Sequence, residues 1–336
     1  MSSLPVISRT AIYVAAGRAV GAREPDVSVR NPDYLAEKLL GDPAKLDLDL
    51  PIVRALGQSY EDAMQDMEVA SNVRMMIVRT RFIDEALVRA VDNGATQVMI
   101  LGAGFDSHAY RCQAVLRDVR IFEVDRPVTQ AFKRERVLEA YGEPPENLTY
   151  VSIDFQDGEL GAVLAQSGYD FSQRTFVIME GLTMYLPEDA LRSTLQLLAQ
   201  HPPGSSLVFD FVSRTLVEML QHINLANVPE PARPSVERFL YLIRDEPWQF
   251  GFPPGEENEY LGEFGFEIGE MLTVGGEESI RRYLTKADGT QVGNEPSAEL
   301  ANRESGGVQP AHGSTSVAQR EQQQAMVYRL VEAVRA

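Results

Sequence analysis

The sequence predicts an α/β fold built on a parallel sheet with crossover helices. Five short apolar, β-branched runs carry this reading: "TQVMILG", "VRIFEVD", "LTYVSIDF", "RTFVIMEG" and "SSLVFDF". Each is separated from the next by a helix-length segment, the rhythm of a parallel sheet. Their apolar residues stand on consecutive positions, which suits strands covered on both faces. Gly102 and Gly104 directly follow the first run. That puts a tight turn at a strand's carboxyl end, where ligands of open α/β sheets bind.

Upstream of these strands, residues 8 to 95 read as helices. "RTAIYVAAGRAVGARE", "PDYLAEKLLGD" and "VASNVRMMIVRTRFIDEALVRAVDNG" place apolar residues at helical spacing, and Gly94 suits a C-cap. We expect residues 1–95 to form a helical cap and residues 96–336 the sheet core. After Phe211 the strand rhythm stops. Residues 213–255 read as helical material broken by prolines, an insertion over the carboxyl edge of the sheet. "LGEFGFEIGEMLTVG" and "AMVYRLVEAV" offer two further strands. Between them, residues 287–322 are polar and rich in Gly, Ser and Gln. They read as a flexible loop or as the arm of a homodimer.

Composition narrows the function. The 336 residues with 44% hydrophobic content suffice for a large core. A net charge of −18 argues against a nucleic-acid surface, which needs clustered Lys and Arg. No apolar run is long enough to span a bilayer. The single cysteine, Cys112, fits a reducing cytoplasm. The four histidines, His108, His201, His222 and His312, stand at no metal-ligand spacing, so no metal is expected.

The strand ends carry the chemistry. The first ends in Gly102-Ala103-Gly104, the second in Glu123-Val124-Asp125, the third in Asp154-Phe155 and the fourth in Glu180-Gly181. A glycine turn followed by acids at three successive strand ends suits S-adenosylmethionine. Its ribose diol and adenine amine need acceptors, and its amino group and sulfonium favour negative potential. Its carboxylate needs a cation, for which arginine is the natural fork. A dinucleotide is the competing cofactor. The pattern G-x-G-x-x-G with an acid about 20 residues on is met by the first two glycines and Asp125. The third glycine position is Ser107, and Asp106 stands in the turn where a pyrophosphate would sit. No phosphate-binding G-x-x-x-x-G-K, zinc-binding H-E-x-x-H or nucleophile-elbow G-x-S-x-G occurs.

The stretches "RTRFIDEAL", "QVMILGAGFDSHAYR", "FEVDRPVTQAFKRERV" and "EGLTMYLPEDALRSTL" resemble the leucine carboxyl methyltransferase family, and more closely its bacterial O-methyltransferases. The resemblance runs from about residue 8 to 212 and resumes at "YLGEFGFEI". It implies a class I methyltransferase fold, Rossmann-like, with seven mostly parallel strands, an antiparallel last strand and an added helical cap. It also implies roles. Arg79 would pair with the cofactor's carboxylate, and Gly102 and Gly104 would let the backbone approach it. Asp125 would accept from the ribose hydroxyls. Asp154 and Phe155 would hold the adenine, and Glu180 would lie near the amino group. Ala103, Asp106, Arg126 and Gly181 complete the candidate cofactor site. His108 and Tyr185 are the catalytic candidates, facing a small-molecule acceptor.

Plainer roles stand beside these. Asp125 and Asp154 could cap helices. Arg79, with Arg74 and Arg81 nearby, could make surface ion pairs. Tyr185 could only pack below the acceptor. His108 stands where many bacterial relatives have Arg, so it either lines the acceptor pocket or fills a structural arginine's place. A carboxylate acceptor needs no base, whereas a hydroxyl would benefit from one, with His108 and His222 as candidates.

Overall fold

The structure is a computed structural model and describes residues 8–46, 48–153, 160–293 and 328–336. Seven strands form one sheet: β1 Gln97–Leu101, β2 Arg120–Asp125, β3 Leu148–Ser152, β4 Thr175–Met179, β5 Ser206–Val212, β6 Phe266–Thr273 and β7 Tyr328–Arg335. Their order is β3-β2-β1-β4-β5-β7-β6. The first five strands pair in parallel, and β7 runs antiparallel between β5 and β6. Strands β1, β4 and β5 are buried along their whole length, as their unbroken apolar runs require.

Helices cover both faces. On one, α1 (Arg9–Gly21) and α2 (Met67–Asp92) share a continuous core with Val98, Ile100, Ile121, Phe176 and Ile178 of the sheet. The long α2 thus forms a layer on the sheet, and the chain between it and α1 wraps that layer. Among the described residues between 22 and 66 only short helical turns form, where the sequence reading expected helix. Pro25, Pro32, Pro43 and Pro51 interrupt any longer run. On the other face, Leu191, Leu195 and Leu198 of the helix Glu188–Leu198 pack against Met99, Leu101, Val177 and Met179. The insertion supplies the helices Arg214–Gln221 and Arg233–Leu242. No helix among the described residues is long and apolar enough to cross a membrane.

Candidate cofactor and acceptor site

The chain lays down β1, β2 and β3 outward along the sheet, then returns to put β4 beside β1. At that reversal the loops leaving β1 and β4 part and open a crevice. A cavity of about 860 Å³ fills it, within the range of small-molecule sites. Its floor is the strand ends. Its outer walls come from α1, the turn around Tyr185 and the insertion.

Gly102 makes the turn behind β1 at φ +67°, and a Cβ there would come 3.1 Å from Leu182 Cδ1. Gly104 follows at φ +40°, and its N–H donates to Asp125 Oδ2 at 2.5 Å. Asp125 Oδ1 accepts from its neighbour Arg126 N–H at 2.6 Å. Asp125 therefore braces the glycine turn, yet it still lines the cavity. Each carboxylate oxygen accepts more than one hydrogen bond, so both retain capacity for a ligand. Burial pushes its pKa up, against the two backbone donors that favour the charge.

Beyond β4, Glu180 stands between two arginines. Arg79 Nη2 lies 2.6 Å and Arg18 Nη1 3.2 Å from Glu180 Oε1. Arg79 also meets Asp210 at 3.2 Å and the Tyr328 hydroxyl at 2.9 Å, and Tyr328 donates to Asp210. Arg18 reaches Asp33 at 2.9 Å and donates to the Phe105 carbonyl at 2.8 Å. Gly181 N–H donates to Asp210 Oδ1 at 2.5 Å. Burial opposes charge on Glu180, but the Arg79 and Arg18 guanidinium groups outweigh it and lower its pKa. Both arginines, Glu180, Gly181 and Asp210 line the cavity.

His108 does not. It is 2% exposed and outside the cavity lining. Its Nδ1 lies 2.7 Å from Asp106 Oδ2, and its Nε2 stands 3.0 Å from Asp84 Oδ1. Asp106 Oδ1 also accepts from the His108 backbone N–H at 2.8 Å. Asp84 in turn holds Arg111 at 2.7 and 2.5 Å. Burial works against a charged imidazole, but Asp106 and Asp84 raise its pKa well above the ordinary 6.5. His108 thus stands between two acids that favour its protonated form. Its place outside the lining tells against its candidacy as a catalytic residue, and its pair with Asp106 fastens that side of the turn. Asp106, His108 and Glu180 offer ligand atoms within 4.8 Å of one another, and Glu180 among them is already paired with Arg79 and Arg18.

Tyr185 lines the cavity beside Thr10 and Trp248, and burial pushes its pKa up to about 12. It keeps its proton near neutral pH, which leaves its hydroxyl as a hydrogen-bonding group in the cavity wall. His222 follows the helix Arg214–Gln221, is exposed and also lies outside the lining. Gly102, Ala103, Gly104, Asp106 and Arg126 all line the cavity. Asp154 and Phe155 lie outside the described residues, as does most of the 287–322 segment.

At the outer end, Glu246 of the insertion joins three elements. It accepts from Ser8 Oγ at 2.6 Å and Thr10 Oγ1 at 2.7 Å, and meets Arg126 at 2.9 Å. Arg9 pairs with Asp245 at 2.7 Å. Sequence reasoning missed Arg18, Asp210, Tyr328 and Glu246. Two had a signal: Arg18 is a charge inside the apolar stretch "AIYVAAGRAVGA", and Asp210 is a lone acid inside the buried run "LVFDFV".

The sheet order, the single antiparallel strand and the acid-rimmed crevice at the reversal define a class I methyltransferase. The family model for leucine carboxyl methyltransferase matches residues 11–199. A relative from Mycobacterium sp. (strain JLS) is 29% identical over 319 residues, covering 88% of this chain and 93% of its own. One from Mycobacterium marinum is 32% identical over 307 residues, covering 88% and 86%. Both bear the name "Putative S-adenosyl-L-methionine-dependent methyltransferase". Among solved structures, a DUF574 family protein from Streptomyces avermitilis aligns with 94% of this chain and 100% of its own, at 16% identity and TM-score 0.49. The chain belongs to the leucine carboxyl methyltransferase family. It is an S-adenosylmethionine-dependent methyltransferase, which removes the dinucleotide alternative.

Proposed function

We propose that this methyltransferase methylates an oxygen, carboxylate or hydroxyl, on a small molecule by in-line transfer. The observation that carries the reading is the division of the cavity. Seven acids and three arginines line it, and four of the acids, Asp106, Asp125, Glu180 and Asp210, stand at the strand ends where a cationic cofactor would lie. The outer walls carry aromatic and apolar side chains, Tyr185, Phe239, Trp248 and Leu216 among them, beside Asp189, Asp245 and Glu246. The donor set suits the cofactor: Asp125 has acceptor capacity for a diol, Glu180 would accept from the amino group, and Arg79, with Arg18 beside it, would pair with the carboxylate. Asp154 and Phe155 would hold the adenine. The cofactor supplies an electrophilic methyl on a sulfonium. The chain's residues supply alignment and a field that favours the positive charge. A ligand oxygen aligned from the outer half would reach the methyl with water displaced by the insertion.

Calorimetry with S-adenosylmethionine and its demethylated product tests the cofactor half. No binding at millimolar concentration by folded protein would sink it. A labelled-methyl screen over small acids and phenols tests the acceptor half. Binding of cofactor with no labelled product from either class rejects the oxygen acceptor.

A further inference from the structure

We propose that the acceptor is an uncharged, hydroxylated aromatic molecule and that the outer chamber excludes carboxylates. The inference rests on the reading above and narrows its acceptor class. Tyr185, Phe239 and Trp248 face the outer half of the cavity, with Leu216, Leu242 and Ile243 among the apolar residues that line it. The Phe239 and Trp248 rings meet edge to face, 5.1 Å apart at 76°. An aromatic wall of this kind offers large, rigid contact area to a planar ring.

Charge then decides between the two oxygens. A carboxylate leaving water needs a cation or several donors in compensation. Among the described residues lining the cavity, the cations are Arg18, Arg79 and Arg126, and no lysine or histidine joins them. Arg18 and Arg79 are committed to Glu180, Asp33 and Asp210 at the cofactor end. Arg126 is matched by Glu246, and Arg9 at the rim by Asp245. Asp189 adds a further negative charge to the outer lining. An acceptor carboxylate would therefore meet an excess of negative charge, with Asp189, Asp245 and Glu246 set against two arginines that already face Asp245 and Glu246. A hydroxyl makes no such demand, and the Tyr185 phenol can donate to it or accept from it. In the transfer, the acceptor oxygen forms the new C–O bond as the S–C bond breaks. That bond's electron pair stays on sulfur, and the hydroxyl proton leaves to solvent.

Trp248 is the only tryptophan of the chain, so its fluorescence reports on this chamber directly. The full-length protein, loaded with the demethylated cofactor, is titrated with 4-methylcatechol against 3,4-dihydroxybenzoate. A second pair is 4-phenylphenol against its 4′-carboxylate. The phenols should quench Trp248 at about tenfold lower concentration than the matched carboxylates. Phe239→Ala should raise the phenol midpoint about tenfold, as removal of a packed aromatic contact does. Equal or tighter binding of the carboxylates overturns the proposal, and so does quenching by neither class. Calorimetry of the cofactor on the same samples separates the two failures. Lost cofactor binding overturns the reading of the site as a whole, whereas carboxylate preference with intact cofactor binding overturns only the acceptor class.

Discussion

At the sheet end of the cavity, Arg18, Arg79, Glu180 and Asp210 hold one another in a buried network, none with a side chain more than 9% exposed. At the outer end, Arg126, Glu246, Arg9 and Asp245 make the same kinds of pair with side chains 19 to 49% exposed. The chemistry is alike and the dielectric is not. A buried charge left without its partner is costly, so the inner network can exist only nearly complete. An exposed pair is screened by water and salt, so the outer contacts can open and re-form at little cost. One cavity thus joins a rigid end, suited to a constant cofactor, to an adaptable end, suited to admitting an acceptor.

The contrast is broken most directly at Glu180. Glu180→Ala leaves Arg18 and Arg79 without their shared acid and should cost about 3–5 kcal/mol of stability in urea unfolding. A loss under about 1 kcal/mol would mean that the inner network is as soft as an exposed pair. Asp125 tests the same end through binding. Asp125→Asn keeps the shape but weakens charge-assisted hydrogen bonds, worth up to about 3 kcal/mol, or roughly a hundredfold in affinity. Calorimetry with the demethylated cofactor should show that loss, with the acceptor-induced quenching of Trp248 at saturating cofactor little changed.

Much of the sheet was legible because its signal is local. Runs such as "QVMIL" and "TFVIM" declare buried strands from their own residues. The turn was legible for the same reason, since Gly102, Asp106 and Asp125 lie within one strand-helix-strand unit. The arginine network was not. Arg18 meets Glu180 across 162 positions, and Arg79 meets Tyr328 across 249. Nothing in either neighbourhood names the partner. His108 lay between these cases. Asp106 accepting from the N–H two residues on is a local turn that favours a structural reading, but the second clamp, Asp84, arrives from α2.

His108 sharpens the comparison through pH. Its folded pKa is raised above the ordinary 6.5 by Asp106 and Asp84 against the opposing effect of burial. Its contribution to stability is therefore complete below pH 6.5 and is lost as pH rises through the higher folded value. Asp84 runs the other way. Burial opposes its charge, yet Arg111 and His108 pull its pKa down to about 2 from 3.8. Its contribution is present above pH 3.8 and lost as pH falls through about 2. His108→Gln should cost about 2 kcal/mol at pH 6, the scale of a charged hydrogen bond. The deficit should shrink as pH rises well above 6.5, while phenol binding stays unchanged. A phenol affinity that falls with this substitution would return His108 to the acceptor site.

The smallest effect belongs to the outer latch. Glu246 is 26% exposed and faces Arg126 at 46%, so the ion pair itself contributes about 1 kcal/mol at most. Glu246→Gln keeps an acceptor for the Ser8 and Thr10 hydroxyls and removes only the charge opposite Arg126. Thermal stability should fall by about 1 kcal/mol or less, and raising salt should erase most of that difference by screening the intact pair. The inner substitution Glu180→Ala should keep its deficit in the same salt, because buried pairs are screened far less. Equal salt responses from the two positions would remove the distinction between a rigid cofactor end and an adaptable acceptor end.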